Sequence, residues 1–203
     1  MQKIYLVRHG QSEWNYQRKV QGQQDILLTE LGKIQAKKLG SRLKNEEIDL
    51  IYSSDLKRAY ETATIIGNEL DKKVNKLECF REIAFGKWEG KTIEYLNETS
   101  EKEHDIWLRQ PHKFNMEGAE TLYQLQKRAM LGVNKVIDEN PNKNILIVSH
   151  GATLKTIILG LLDIDIKYYN KLTLGNVSLS IVEFRDYNRV LKLLNDTNHL
   201  REE

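Results

Sequence analysis

The apolar run Ile4-Tyr5-Leu6-Val7 reads as a short buried strand that stops at Arg8-His9-Gly10. Thr29 has the chemistry of a helix cap, and the spacing of Leu31, Ile34, Ala36, Leu39 and Leu43 predicts the helix that follows it. Residues 48–53 read as a second strand. Ser54 or Asp55 is expected to cap the next helix, which carries Arg58, Ala59, Ala63 and Ile66. A third short strand falls at residues 74–77. A long helix after Thr121 places Leu122, Leu125, Ala129, Val133 and Val136 on one face. Ile145-Leu146-Ile147-Val148 is the plainest strand of the chain, and it runs through Ser149-His150-Gly151 into an apolar helix over residues 154–162. Strands at 177–184 and 190–194 finish the pattern, with turn chemistry in Asp186-Tyr187-Asn188.

Strands alternating with helices predict an α/β fold, a three-layer sandwich with a mostly parallel central sheet and helices on both faces. All-apolar strands such as residues 145–148 fit a sheet covered on both sides. The 203 residues suit one domain. Residues 85–118, with Trp88, Trp107 and Pro111 among scattered charges, look irregular and are expected to form a cap-like insertion in it.

Charge adds little to this picture. There are 31 basic and 29 acidic residues, and a net charge of +2 gives no electrostatic reason to expect nucleic acid or a membrane surface as partner. The single cysteine, Cys79, cannot form an internal disulfide and suits a reducing compartment. The apolar N-terminal stretch is too short for a signal peptide, and no segment is long enough to span a membrane, so a cytoplasmic protein is the expectation. An exposed C-terminal edge strand leaves a homodimer open.

Two segments share a design: Val7-Arg8-His9-Gly10 and Val148-Ser149-His150-Gly151 each end a buried strand in His-Gly. Ligands of open α/β sheets bind beyond the carboxyl ends of the strands. If the two strands are neighbours, two imidazoles share one small volume, and each glycine lets the backbone approach a ligand closely. Arg8 precedes the first histidine, and Arg58 lies in the first turn of a helix at the same edge. Guanidinium forks match phosphate oxygens. A lone histidine at a strand end is more often structural than catalytic, but the repeated pattern with two arginines points to a dianion site. It does not separate an enzyme from a phosphate-binding module.

The segment Leu6-Val7-Arg8-His9-Gly10-Gln11-Ser12-Glu13-Trp14-Asn15 resembles the signature of the histidine phosphatase superfamily, which includes the cofactor-dependent phosphoglycerate mutases. The resemblance continues in order through Gln21-Gly22, Asp25, Leu28-Thr29-Glu30-Leu31-Gly32, Ser53-Ser54-Asp55-Leu56-Lys57-Arg58-Ala59, Thr62-Ala63 and Arg81-Glu82-Ile83. It closes with Gly86, Trp88, Glu89, Gly90 and Val148-Ser149-His150-Gly151. It implies that His9 takes the phosphoryl group as phosphohistidine. It also implies that Arg8, Arg58 and His150 hold the phosphate oxygens and that Glu82 donates and accepts the proton. Asn15, Gln21 and Gly22 match positions around the phosphate, and Gly151 and Ala152 would offer backbone N–H groups there. A protonated His150 is expected beside the phosphate charge. The chain departs from many relatives at Asp55, where proline is common, and at Gln11, where glutamate is.

The resemblance favours a metal-independent phosphatase acting on a small-molecule phosphate monoester. The connection from Glu82 to the Thr121 helix is short for a mutase, and the whole chain is similar to bacterial broad-specificity phosphatases. Phosphoglycerate mutase and a regulatory phosphate-binding module without turnover stay as alternatives. No metal or other cofactor is expected, because neither histidine has the closely spaced partners of a zinc or two-metal site. His104, His112 and His199 lie outside the matching blocks. Trp14, Phe85, Trp88 and Trp107 would either shape a substrate wall or pack the core.

Overall fold

The computed structural model describes residues 1–201. Strands β1 (Gln2–Arg8), β2 (Leu50–Ser53), β3 (Val74–Lys76), β4 (Ile145–Ser149), β5 (Leu179–Phe184) and β6 (Arg189–Asp196) form one sheet in the order β3-β2-β4-β1-β5-β6. The pairs β3/β2, β2/β4 and β4/β1 are parallel, while β5 and β6 are added antiparallel at one edge. The sheet is therefore mixed, with a parallel body as expected and an antiparallel C-terminal hairpin.

Helices α2 (Glu30–Leu43) and α3 (Lys57–Leu70) cover one face, and α6 (Leu122–Glu139) and α7 (Gly151–Leu161) cover the other. Alternation along the strands feeds both layers. Tyr5, Val7, Leu146 and Val148 pack with Ala36, Leu39, Ala63 and Ile66 on the α2/α3 side. Ile4, Leu6, Ile145 and Ile147 pack with Ala129, Val133, Ile157 and Leu161 on the α6/α7 side. Every residue of β4 is buried, which is why its sequence carries no polar alternation.

Local expectations fail where tertiary contacts compete. Thr29 caps α2 by accepting from the Gly32 N–H, but Leu31 and Ile34 are half-exposed (49% and 54%), and Gly32 and Gly40 take the buried positions instead. Neither Ser54 nor Asp55 is the N-cap of α3. That position is Leu56, without a side-chain cap bond. Asp55 is drawn away into an ion pair with Arg81, and Ser54 is engaged by His150.

The stretch 85–118 is more regular than its sequence suggests. After a short α1 (Glu13–Tyr16) earlier in the chain, α4 (Ile93–Thr99) and α5 (Glu101–Arg109) lie here, between single 3-10 turns at Gly86–Trp88 and Pro111–Lys113. Thr92 caps α4 through the Tyr95 N–H. The segment is held by Phe85, Trp88, Phe114 and Met116, which pack on Leu122 and Leu125 of α6 and Leu159 of α7. Trp88 is thus core. His104 is buried and pairs with Asn97 Oδ1 at 2.7 Å, a structural role. Among the described residues no helix is long and apolar enough to cross a membrane.

Candidate active site

The parallel register of β1 and β4 aligns Val7 with Val148 and Arg8 with Ser149. One residue further on, the His9 N–H still donates to the Ser149 carbonyl at 2.9 Å. His9 and His150 therefore leave the sheet side by side, with ring centroids 5.2 Å apart and planes inclined by 61°. Both are buried, as is Arg58 at 0% exposure.

His9 Nδ1 lies 2.7 Å from the Gly10 carbonyl oxygen. A carbonyl only accepts, so this contact places the proton on Nδ1 and leaves the Nε2 lone pair free. Gly10 itself is needed for space. A Cβ there would meet the Gly32 carbonyl oxygen at 2.5 Å, whereas one at Gly151 would meet nothing nearer than Arg8 Nε at 3.6 Å. The Gly10 N–H donates to Thr62 Oγ1, whose hydroxyl donates to the Arg58 carbonyl. Asn176 Nδ2 donates to the His9 carbonyl at 3.0 Å.

The two arginines are fixed by backbone acceptors. Arg58 Nη1 and Nη2 donate to the carbonyls of Gln24 and Gly22 at 2.6 and 2.8 Å, and Arg8 Nη1 donates to the Leu174 carbonyl at 2.6 Å. Gly22 has φ +51°, and a Cβ there would collide with the Glu89 carboxylate, so glycine is what lets this turn present its carbonyl. Arg8 Nε, Arg58 Nε and His150 Nδ1 are buried and carry no hydrogen bond. Buried polar atoms are nearly always paired, so three orphans in one cluster mark a place built for an acceptor-rich ligand.

Burial, reinforced by Arg58 and Arg8, holds the His9 imidazole well below its ordinary 6.5. Burial, then Arg58, His9 and Arg8, does the same to His150. In the free protein His150 is therefore neutral, because burial first, and then Arg58, His9 and Arg8, disfavour charging the ring; the protonated form was expected only beside a phosphate. Burial also lowers Arg58 to about 10, still charged at neutral pH.

Glu82 lies against the N-terminus of α7. Its Oε1 accepts from the Ile83 N–H, the Thr153 N–H and the Thr153 hydroxyl at 3.0, 3.2 and 3.2 Å, and its Oε2 accepts from the Ala152 N–H at 3.2 Å. The Ala152 N–H expected for a phosphate thus serves the carboxylate. Glu82, Arg8 and Gly151 share the wall of a cleft of about 290 Å³ with Phe85, Trp107 and Lys155. Asn15 and Gln21 meet at the Ser12 hydroxyl, and Asn176 ties Asn15 to the His9 backbone. Among the described residues no group of three or more His, Cys, Asp and Glu side chains is placed to hold a metal ion.

Residues 4–197 match the model of the histidine phosphatase superfamily, branch 1. The chain belongs to that superfamily. It is 35% identical over its full length to phosphoserine phosphatase 1 of Hydrogenobacter thermophilus, 96% of which is covered. It is 31% identical to a probable phosphoglycerate mutase, GpmB, of Yersinia pestis, over 98% of this chain and 95% of that one. The fold superposes on the crystal structure of an Entamoeba histolytica phosphoserine phosphatase mutant bound to phosphoserine, with a TM-score of 0.88, 38% identity and coverage of 99% and 100% of the two chains. That enzyme has also been solved with 3-phosphoglyceric acid. The present chain is a phosphatase of this superfamily.

Sequence reasoning placed His9, His150, Arg8, Arg58 and Glu82 together, and the fold brings all of them to one edge. It assigned no part in the site to several residues that position them. Ser54, whose hydroxyl meets His150 Nε2 at 2.8 Å, and Thr62 lay inside matching blocks. Leu174 and Asn176 had no signal, since they act through a backbone carbonyl and a loop amide. Arg128, on α6, lies outside the matching blocks. It donates to the carbonyls of Cys79, Arg81 and Glu82 while forking onto Glu120, and so clamps the loop that carries Glu82.

Proposed function

We propose that the protein is a metal-independent phosphomonoesterase that works through a phosphohistidine on His9. The observation that carries this is the free Nε2 of a neutral His9, held rigid through Nδ1 beside the buried Arg58 guanidinium and the half-buried Arg8. Nε2 attacks phosphorus in line, the bond to the ester oxygen breaks, and the leaving alkoxide takes a proton from Glu82. Arg8, Arg58 and His150 offer their unpaired N–H groups to the phosphoryl oxygens as charge spreads over them. The phosphate dianion also reverses the electrostatics at His150 and favours its imidazolium. Glu82 then takes a proton from water, the resulting hydroxide attacks phosphorus, and inorganic phosphate leaves with His9 neutral again. Asn15, Gln21, Gly22 and Gly151 complete the phosphate pocket. Relatives named as phosphoserine phosphatases, one solved with phosphoserine, support a small phosphorylated metabolite as substrate.

The test is release of phosphate from p-nitrophenyl phosphate and a panel of metabolite monophosphates with EDTA present, alongside trapping of labelled phosphate on the protein under alkaline quench. Wild type should turn over and carry alkali-stable label on the His9 peptide. His9→Ala should lose both, with kcat down by at least about 10³-fold. Activity abolished by EDTA, or label persisting in His9→Ala, refutes the mechanism. Isomerisation of 3-phosphoglycerate without net hydrolysis would make the chain a mutase, and phosphate binding without turnover would make it a binding module.

A further inference from the structure

The cleft that begins at Arg8 and Glu82 continues outward between Phe85, Trp107, Tyr169 and Lys155. Lys155 stands on α7 four residues after Gly151, so both face the same side of the helix. Its ammonium lies 4.0 Å from the centroid of the Tyr169 ring, and among the described residues it has no carboxylate within 4.0 Å. Burial and the nearby Arg8 lower it to about 8, against an opposing pull from Glu82. Surface lysines hold their charge in water, whereas this one sits in a cleft against an aromatic ring. The transferring phosphate already has Arg8, Arg58 and His150. A further cation beyond them is positioned for a second charge on the same substrate.

We propose that Lys155, seated on Tyr169, is an anion subsite that takes a carboxylate of the leaving group, so that the preferred substrates are small phosphorylated carboxylic acids. This rests on the reading of the site as a phosphomonoesterase. One ammonium balances one carboxylate; a second phosphate dianion would leave net charge against Phe85, Trp107 and Tyr169. Those rings would cover the short carbon skeleton between the two anions and keep water from the ion pair, which strengthens it. Lys155 would act on specificity through binding, without touching the reacting atoms.

Phosphoserine and phosphoethanolamine differ only in the carboxylate, and their kcat/KM ratio reads the subsite directly. Wild type should favour phosphoserine by about 10-fold or more, as expected for a partly desolvated charge pair worth at least about 1.4 kcal/mol. Lys155→Met should bring the ratio close to one, mainly through KM for phosphoserine, and Lys155→Arg should keep most of the preference. A wild-type ratio near one, an unchanged ratio in Lys155→Met, or an equal fall for both esters would overturn the proposal. If wild type hydrolyses neither these esters nor p-nitrophenyl phosphate, it is the phosphomonoesterase reading that has failed. Calorimetric affinities of wild type and Lys155→Met for the same two compounds then decide the subsite by the same ratio.

Discussion

Acidification should weaken this fold before any carboxylate titrates. In the folded chain His9 and His150 are buried, beside Arg8 and Arg58, and stay neutral well below 6.5. In the unfolded chain they take up protons with pKa values near 6.5. Below that pH the unfolded state binds more protons, so stability is fully present above about pH 6.5 and is lost as pH falls toward the depressed folded values. Between pH 7.5 and 5.5 each ring removes about 1.4 kcal/mol, and the two together remove about 2.7 kcal/mol. That is a large fraction of an ordinary stability of about 5–15 kcal/mol. His199, lowered to about 4 by burial and Arg42, acts in the same direction. Urea unfolding followed by circular dichroism at pH 7.5, 6.5 and 5.5 measures the loss, and the double variant His9→Gln/His150→Gln should show a correspondingly shallower dependence. Equal stability at pH 7.5 and 5.5, or a double variant that keeps the full wild-type slope, would refute the placement of these rings as buried neutral groups.

Arg128→Met removes the clamp on the Glu82 loop and strands Glu120. It should cost about 2–3 kcal/mol in thermal unfolding and lower kcat on p-nitrophenyl phosphate by about 10- to 100-fold, since displacement of a catalytic group by an ångström is enough for that; an unaltered kcat would remove Arg128 from the positioning of Glu82. Gly22→Ala forces an unfavourable φ of +51° and a clash with Glu89. A loss of about 1–3 kcal/mol by urea titration, with a raised KM because the Gly22 carbonyl no longer holds Arg58, is expected. Ser54→Ala leaves His150 Nε2 without its partner, and kcat/KM should fall about 10-fold with the fold retained by circular dichroism; full activity would show that the ring needs no such anchor.

The sequence by itself determined the strand and helix pattern of the sheet body and the candidate residues of the site. β4 is apolar throughout because both of its faces are buried, and α6 shows its inward stripe because one face of a helix meets the core. His9 and His150 were conspicuous because each ends such a strand. Only the tertiary structure decided that β1 and β4 are neighbours, which is what turns two His-Gly steps into one site. The same holds for the antiparallel hairpin at the sheet edge, for the burial of Gly32 and Gly40 in place of Leu31 and Ile34, and for the diversion of Asp55 from capping to Arg81. The lowered basicity of His150 in the free protein was equally out of reach, because a pKa depends on burial and on charges brought close from distant parts of the chain. The residues that aim the chemistry, Ser54, Thr62, Arg128, Leu174 and Asn176, work through backbone carbonyls or across long sequence separations. Such contacts leave no periodicity to read, since folding alone sets which donor meets which acceptor.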